Sequence, residues 1–263
     1  MSMKLNLSQK PIMIITHERS GTHLCMDSLR NYFQETYLKQ NPFQKTRRLY
    51  WVLPTEKLSS FIQSLQNAKS RPFIKTHLTT DLRIVKEPAQ RQLFHLLFEE
   101  SDHLYVVRDG RDVLVSYFYF RIKFDQGTRD FSTYLRSPLR SGPRTVVKYW
   151  ADHVTEWRNQ LGQDKLVYFE SLRNEMTKTV TSLGHSLGLT RNNLPIEPIP
   201  VDKQRWIRAI KCALGIQQSS AVLPGRGNSK TWKSHFSEAD KDYFKEIAGQ
   251  VLIDLGYEKD MDW

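Results

Sequence analysis

No run of apolar residues in this chain is long enough to cross a bilayer, so an integral helical membrane protein is not expected. Cysteine is scarce. The two present, Cys25 and Cys212, are far apart and form no metal-ligand cluster, which argues against a disulfide-stapled domain or a thiolate metal centre. The opening residues MSMKLNLSQK carry no apolar core of signal-peptide length, so a reducing cytoplasm with both thiols free is the expected setting. There is no internal repeat, no low-complexity linker and no long Lys/Arg tail. Also missing is the pattern GxxxxGK[ST], which excludes an ordinary ATP- or GTP-binding loop.

The 263 residues suffice for one large α/β domain, or two small ones, with a substantial core, and a single domain spanning 1–263 is the expectation. Hydrophobic content of 39% and charged content of 25% fit a globular protein. Charge is the imbalance: 39 basic against 28 acidic residues give +11. Such a surplus suits nucleic acid, an anionic membrane surface or a polyanionic small ligand, and does not choose among them.

Apolar runs at Ile12–Thr16, Pro72–Thr76, Leu104–Val107 and Leu166–Phe169 read as buried strands. Helical periodicity occupies Thr22–Phe33, Thr55–Ala68, Glu87–Glu99, Asp112–Lys123, Thr145–Gln160, Leu172–Leu187 and Ser237–Leu255. Strands alternating with helices predict a parallel sheet of four to five strands, flanked by helices on both faces. The Pro-containing segment Asn193–Val201 reads as a surface connection.

In a parallel sheet, ligands bind beyond the carboxyl ends of the strands. The predicted strands end in His17-Glu18-Arg19-Ser20, Lys75-Thr76-His77, Arg108-Asp109-Gly110-Arg111-Asp112 and Glu170-Ser171. The first cluster runs through Gly21 and Thr22 into a helix. Its backbone N–H groups and the positive helix end make an anion site suited to phosphate. Arg108 and Arg111 stand where the next helix begins, a place that opposes its dipole unless an anion is near. His77 is the one imidazole at the end of its strand, and Lys75, two residues earlier, points to the same side.

These motifs resemble, in order, those of the PAPS-dependent sulfotransferases of cytosolic type, over roughly residues 11–257. His17–Thr22 is similar to their 5′-phosphosulfate loop, and Lys75-Thr76-His77-Leu78 to their KTHL segment. Arg108–Ser116 matches the 3′-phosphate pattern R-[ND]-x-[KR]-D-x-x-V-S. Tyr168-Phe169-Glu170 stands at the YED strand, and Arg226-Gly227 with Trp232–Phe236 at the late RKGxxGDWKNxF segment. The resemblance implies a P-loop-like α/β fold and transfer of SO₃ from 3′-phosphoadenosine-5′-phosphosulfate (PAPS) to an acceptor hydroxyl or amine, leaving the 3′,5′-diphosphate (PAP), with no metal. It implies His77 as the base, with Arg19 and Lys75 assisting. Arg19, Ser20, Gly21, Thr22 and His23 would hold the 5′ end, Arg108, Ser116, Arg226 and Gly227 the 3′-phosphate, and Phe169 the adenine.

Several positions depart from the family pattern. Leu24 stands where a tryptophan is usual, Phe169 where a tyrosine is, and Arg19 where the cytosolic enzymes carry lysine. The family dimer signature is degraded around Lys233–Glu238, which leaves the oligomeric state open. The resemblance assigns acceptor choice to the variable segments Tyr37–Trp51, Phe118–Ser141 and Trp206–Leu223. Their aromatic side chains suit either a pocket for a small hydrophobic alcohol or phenol, or the core itself. The expected partner is such a small molecule, with no nucleic acid and no membrane span. Two other classes fit the residues less well. A P-loop nucleotide kinase would need the missing Gly-Lys-Ser/Thr, and a noncatalytic basic binding protein would show salt-dependent, unselective affinity for nucleotides.

Overall fold

A computed structural model describes residues 5–36, 50–55, 57–124, 127–139, 142–196 and 231–263. Five strands form one parallel sheet: β1 (Ile12–Thr16), β2 (Trp51–Leu53), β3 (Phe73–Thr76), β4 (Asp102–Val107) and β5 (Leu166–Tyr168), in the order β2-β3-β1-β4-β5. β1 is central, with Ile14 opposite Lys75 on one side and Leu104 on the other. All five of its residues are buried, as befits a β-branched run covered on both faces. Because every pairing is parallel, the carboxyl ends of the strands lie on one edge.

The helices among the described residues are α1 (Thr22–Tyr32), α2 (Leu58–Gln66), α3 (Pro88–Glu100), α4 (Gly110–Lys123), α5 (Phe131–Arg136), α6 (Val146–Leu161), α7 (Phe169–Asn174), α8 (Met176–Ser186) and α9 (Glu238–Asp254). The burial spacing explains them. In α1 the buried Cys25, Met26 and Leu29 recur at helical period, and in α6 Val147, Trp150, Val154 and Trp157 do the same. α9 opens on a capping box in which the Ser237 hydroxyl accepts from the Asp240 N–H and the Asp240 carboxylate accepts from the Ser237 N–H.

Three elements differ from expectation. β2 is an unforeseen three-residue edge strand. α5 is a six-residue helix capped by the Asp130 carboxylate, which accepts from the Thr133 N–H at 2.7 Å. The predicted helix Leu172–Leu187 is two helices, broken where Glu175 leaves helical geometry (φ −129°, ψ 43°), and Phe169 opens α7 rather than closing β5.

The chain divides into two compact units: Met1–Val107 with Glu156–Glu197, and Arg108–Thr155 with Pro198–Trp263. The first contains the whole sheet. There Trp157 donates its indole N–H to the Leu78 carbonyl at 2.8 Å, which fixes the turn just beyond β3. In the second, the face of Trp150 lies so close to Gly110 that a Cβ on that glycine would enter the ring.

Candidate active site

In the first unit, β1 runs straight into the loop His17–Gly21. Two residues of this loop have left-handed backbone, Arg19 (φ 71°) and Gly21 (φ 102°). Left-handed residues turn successive N–H groups into one concavity, which suits an anion. Gly21 is the N-cap of α1, no side chain caps that helix end, and its first turn carries no acidic residue. The leading N–H groups and dipole of α1 are therefore not neutralised by a capping side chain. Gly21 is also required sterically: the Phe169 ring packs against it, where a Cβ would collide. Phe169 itself is buried.

His77 follows β3 directly and reaches back to β1. Its Nδ1 lies 2.7 Å from the Thr16 carbonyl oxygen and 3.0 Å from Thr16 Oγ1. A carbonyl only accepts, so Nδ1 carries the proton and the lone pair sits on Nε2. Thr16 Oγ1 in turn contacts Thr22 Oγ1 at 2.8 Å, tying the imidazole to the first residue of α1. Burial drives the His77 pKa down to about 4, helped by the charges of Lys75 and His17 and opposed by Glu18 and the Thr16 carbonyl. The ring is thus neutral at physiological pH.

Lys75 alternates with buried Ile74 and Thr76 on β3, as its strand position predicts. Burial lowers its pKa, with the Arg19 cation adding to the effect and the Glu18 carboxylate resisting it. Its ammonium lies 5.8 Å from the centre of the Tyr50 ring, and the Tyr50 hydroxyl is 3.2 Å from His23 Nε2. His17 is wholly buried. Its Nδ1 contacts the Glu18 carbonyl oxygen at 2.9 Å, and burial lowers its pKa against the pull of Glu18. Glu18 therefore acts electrostatically on Lys75, His77 and His17 alike, a role the sequence reading missed although the residue lies inside the loop motif.

In the second unit, Arg108 and Ser116 are both buried at and along the start of α4. Arg108 Nη2 stands 4.0 Å from Asp112 Oδ2. Arg111 answers the question its position raised. Its anions are protein carboxylates: Asp109 at 3.0 and 2.7 Å in a forked pair, and Glu258 at 2.5 Å. Its guanidinium also lies 3.9 Å from the centre of Trp232 and 4.3 Å from that of Trp263. The Asp109 and Glu258 bonds outweigh burial and raise the Arg111 pKa, whereas burial raises that of Asp109 against its arginine partner.

Of the residues singled out in the sequence, Thr22 and His77 are joined through Thr16, Gly21 meets Phe169, and Arg19, Ser20 and His23 share their loop and helix start. Arg226 and Gly227 lie outside the described residues, as do the segment Trp206–Leu223 and most of Tyr37–Trp51. Among the aromatics of Phe118–Ser141, Phe118 and Tyr134 are buried, and Phe131 packs 5.2 Å from Phe118 and 5.1 Å from Phe236. Phe118 and Tyr134 build core, with the half-buried Phe131 packed beside Phe118. Among the described residues, no helix is long and apolar enough to cross a membrane.

Comparison with known proteins gives a consistent picture. The sulfotransferase domain family model matches residues 9–256. Curated relatives include the rat sulfotransferase 2A6, 23% identical over 93% of this chain and 85% of that protein. Zebrafish cytosolic sulfotransferase 1 is 26% identical over 92% and 83% of the two chains. Among solved structures, a mouse sulfotransferase complexed with PAP superposes with a TM-score of 0.57 at 17% identity, covering 96% of this chain and 90% of that one. A retinol dehydratase in complex with androsterone and inactive cofactor PAP gives 0.57 at 16% identity, covering 96% and 82%. At such identities the structural likeness concerns the fold.

Proposed function

The chain belongs to the sulfotransferase domain family, and from that premise we propose that it transfers SO₃ from PAPS to a hydroxyl or amine of a small, hydrophobic acceptor, with residues 1–263 acting as one cytoplasmic sulfotransferase domain. The observation that carries the reading is the strand–loop–helix at Thr16–Thr22, with an uncapped helix start at a left-handed glycine and a neutral imidazole bonded to the strand that feeds it.

Arg19, Ser20, Gly21, Thr22 and His23 receive the 5′-phosphosulfate, and Arg108 and Ser116 the 3′-phosphate, Arg226 and Gly227 joining them from the late motif. A buried guanidinium suits the 3′-phosphate because its planar fork binds two oxygens at once. Phe169 serves the adenine through its ring, while also walling the loop at Gly21. In the reaction, the acceptor oxygen attacks sulfur in line and the S–O bond to the 5′-phosphate breaks. The electron pair leaves on PAP. Arg19 and Lys75 stabilise that charge; the guanidinium, with its very high pKa, does so without giving up a proton. His77 removes the acceptor proton with the Nε2 lone pair, its ring held by the Thr16 carbonyl as the imidazolium forms.

Thermal-shift measurement with PAP and with AMP tests the cofactor. A rise in melting temperature with PAP and little with AMP is expected; equal shifts with both would contradict the assignment of Arg108 and Ser116.

A further inference from the structure

We infer that Asp112 is a positioning residue for the 3′-phosphate grip, and that Glu258 and Trp263 belong to the same clasp on α4. The inference rests on the sulfotransferase reading of Arg108, and it concerns residues which that reading leaves without a role.

Asp112 is wholly buried and uses its two oxygens differently. Oδ1 accepts from the Thr231 hydroxyl at 2.8 Å and from the Trp232 N–H at 3.0 Å. Oδ2 faces Arg108 Nη2 at 4.0 Å. One carboxylate therefore joins the phosphate-binding arginine to Thr231 and Trp232, the first described residues of the late segment. At 4.0 Å the pair is an electrostatic tether rather than a tight hydrogen bond, and it restrains the direction in which the guanidinium points. The preceding residue, Arg111, closes the clasp from the other side. Arg111 binds Asp109 in a fork, bonds Glu258, and lies against the rings of Trp232 and Trp263, which are themselves 5.4 Å apart and nearly perpendicular. Tyr119 adds a third tie, its hydroxyl 2.9 Å from His235 Nε2. Here too the ring is set by a carbonyl: His235 Nδ1 donates to Thr231 at 2.9 Å, so Nε2 accepts from the tyrosine.

Three successive contacts along α4 thus hold the segment Thr231–Phe236, and the outermost depends on Trp263. A supporting shell of this kind sets the geometry of the group in front of it, so loosening it is expected to weaken 3′-phosphate recognition specifically. AMP lacks the 3′-phosphate and shares the 5′-phosphate and adenine, which makes the ratio of PAP to AMP affinity the direct readout.

The test is calorimetric titration of the full chain with PAP and with AMP in the wild type and three variants. Asp112→Asn keeps an oxygen for Thr231 and Trp232 and loses the charge facing Arg108. Trp263→Ala removes the outer ring, and Trp263→Phe retains one. Asp112→Asn and Trp263→Ala are expected to lower the PAP-to-AMP selectivity by about tenfold, with AMP affinity within about twofold of wild type, and Trp263→Phe to restore it. Asp112→Asn is isosteric and is decisive alone if Trp263→Ala fails to fold. A wild type that prefers PAP, with both variants keeping that preference or losing PAP and AMP binding together, overturns the clasp alone. A wild type with no preference for PAP overturns the reading of Arg108, and this inference with it.

Discussion

His77 should titrate far below an ordinary histidine. Its ordinary pKa is 6.5, and burial lowers it to about 4. At pH 6 a group of pKa 4 is about 99% neutral, whereas one of 6.5 is roughly one-quarter neutral. If His77 is the base, kcat/KM, which reports the free enzyme, should be flat from pH 8 to pH 6, measured with an acceptor alcohol that does not itself titrate. An exposed imidazole would instead lose roughly fourfold over that interval. The same shift affects stability. Between pH 6.5 and 4 the unfolded chain binds the proton that the folded chain refuses, so stability falls as pH drops through that window. The full loss is on the order of 3 kcal/mol. The residue-level assay is ring-carbon NMR of the free protein, with the His77 resonance assigned by its loss in His77→Gln. A resonance titrating between pH 6 and 7 would mean that neither burial nor the Thr16 bond sets the basicity of this ring.

Gly21→Ala is expected to destabilise the fold by about 1–3 kcal/mol, from a left-handed backbone position and a collision with the Phe169 ring, and to abolish the PAP-induced thermal shift; an unchanged melting temperature would show that the loop relaxes freely. Ser237→Ala removes the capping box of α9 at a cost of about 1 kcal/mol, read as a fall of roughly 2–4 °C in melting temperature with PAP affinity unaltered. The Cys25 thiol is buried in α1 and its pKa is raised to about 12 by burial and by Asp27, so peptide mass spectrometry should find it unmodified after iodoacetamide treatment of the native protein at pH 8; rapid labelling would mean that α1 opens readily.

The sheet was legible where one physical signal dominated. Ile12–Thr16 is a buried β-branched run ended by polar residues, and its bounds in the structure are those read from the sequence. α1 follows in the same way from the loop into Cys25, Met26 and Leu29. β2 escaped because three residues at a sheet edge are too few to show a period. α5 has only six, although its Asp130 cap was a visible signal. The break between α7 and α8 carries neither proline nor glycine, and a helical pattern passes through Glu175 unaltered. At the candidate site, local motifs located the loop, Lys75, His77 and Arg108, since each chemistry sits within a few residues of a strand end. Two things were not local. The depressed basicity of His77 comes from burial and from β1, not from its own segment. The partners of Arg111 include Glu258 and Trp263, which no spacing rule links to α4. Three-dimensional packing supplied both.

Every residue role proposed above depends on one activity, the movement of a sulfuryl group from PAPS. Incubation of the purified protein with ³⁵S-labelled PAPS and a panel of hydrophobic alcohols, phenols, amines and sugars, beside His77→Ala, reads that activity itself. Label is expected on at least one hydroxyl or amine acceptor, with the variant slower by a factor on the order of 10² or more while still binding PAP. Absence of labelled product across the panel from a wild type that binds PAP, or equal turnover in His77→Ala, would contradict it.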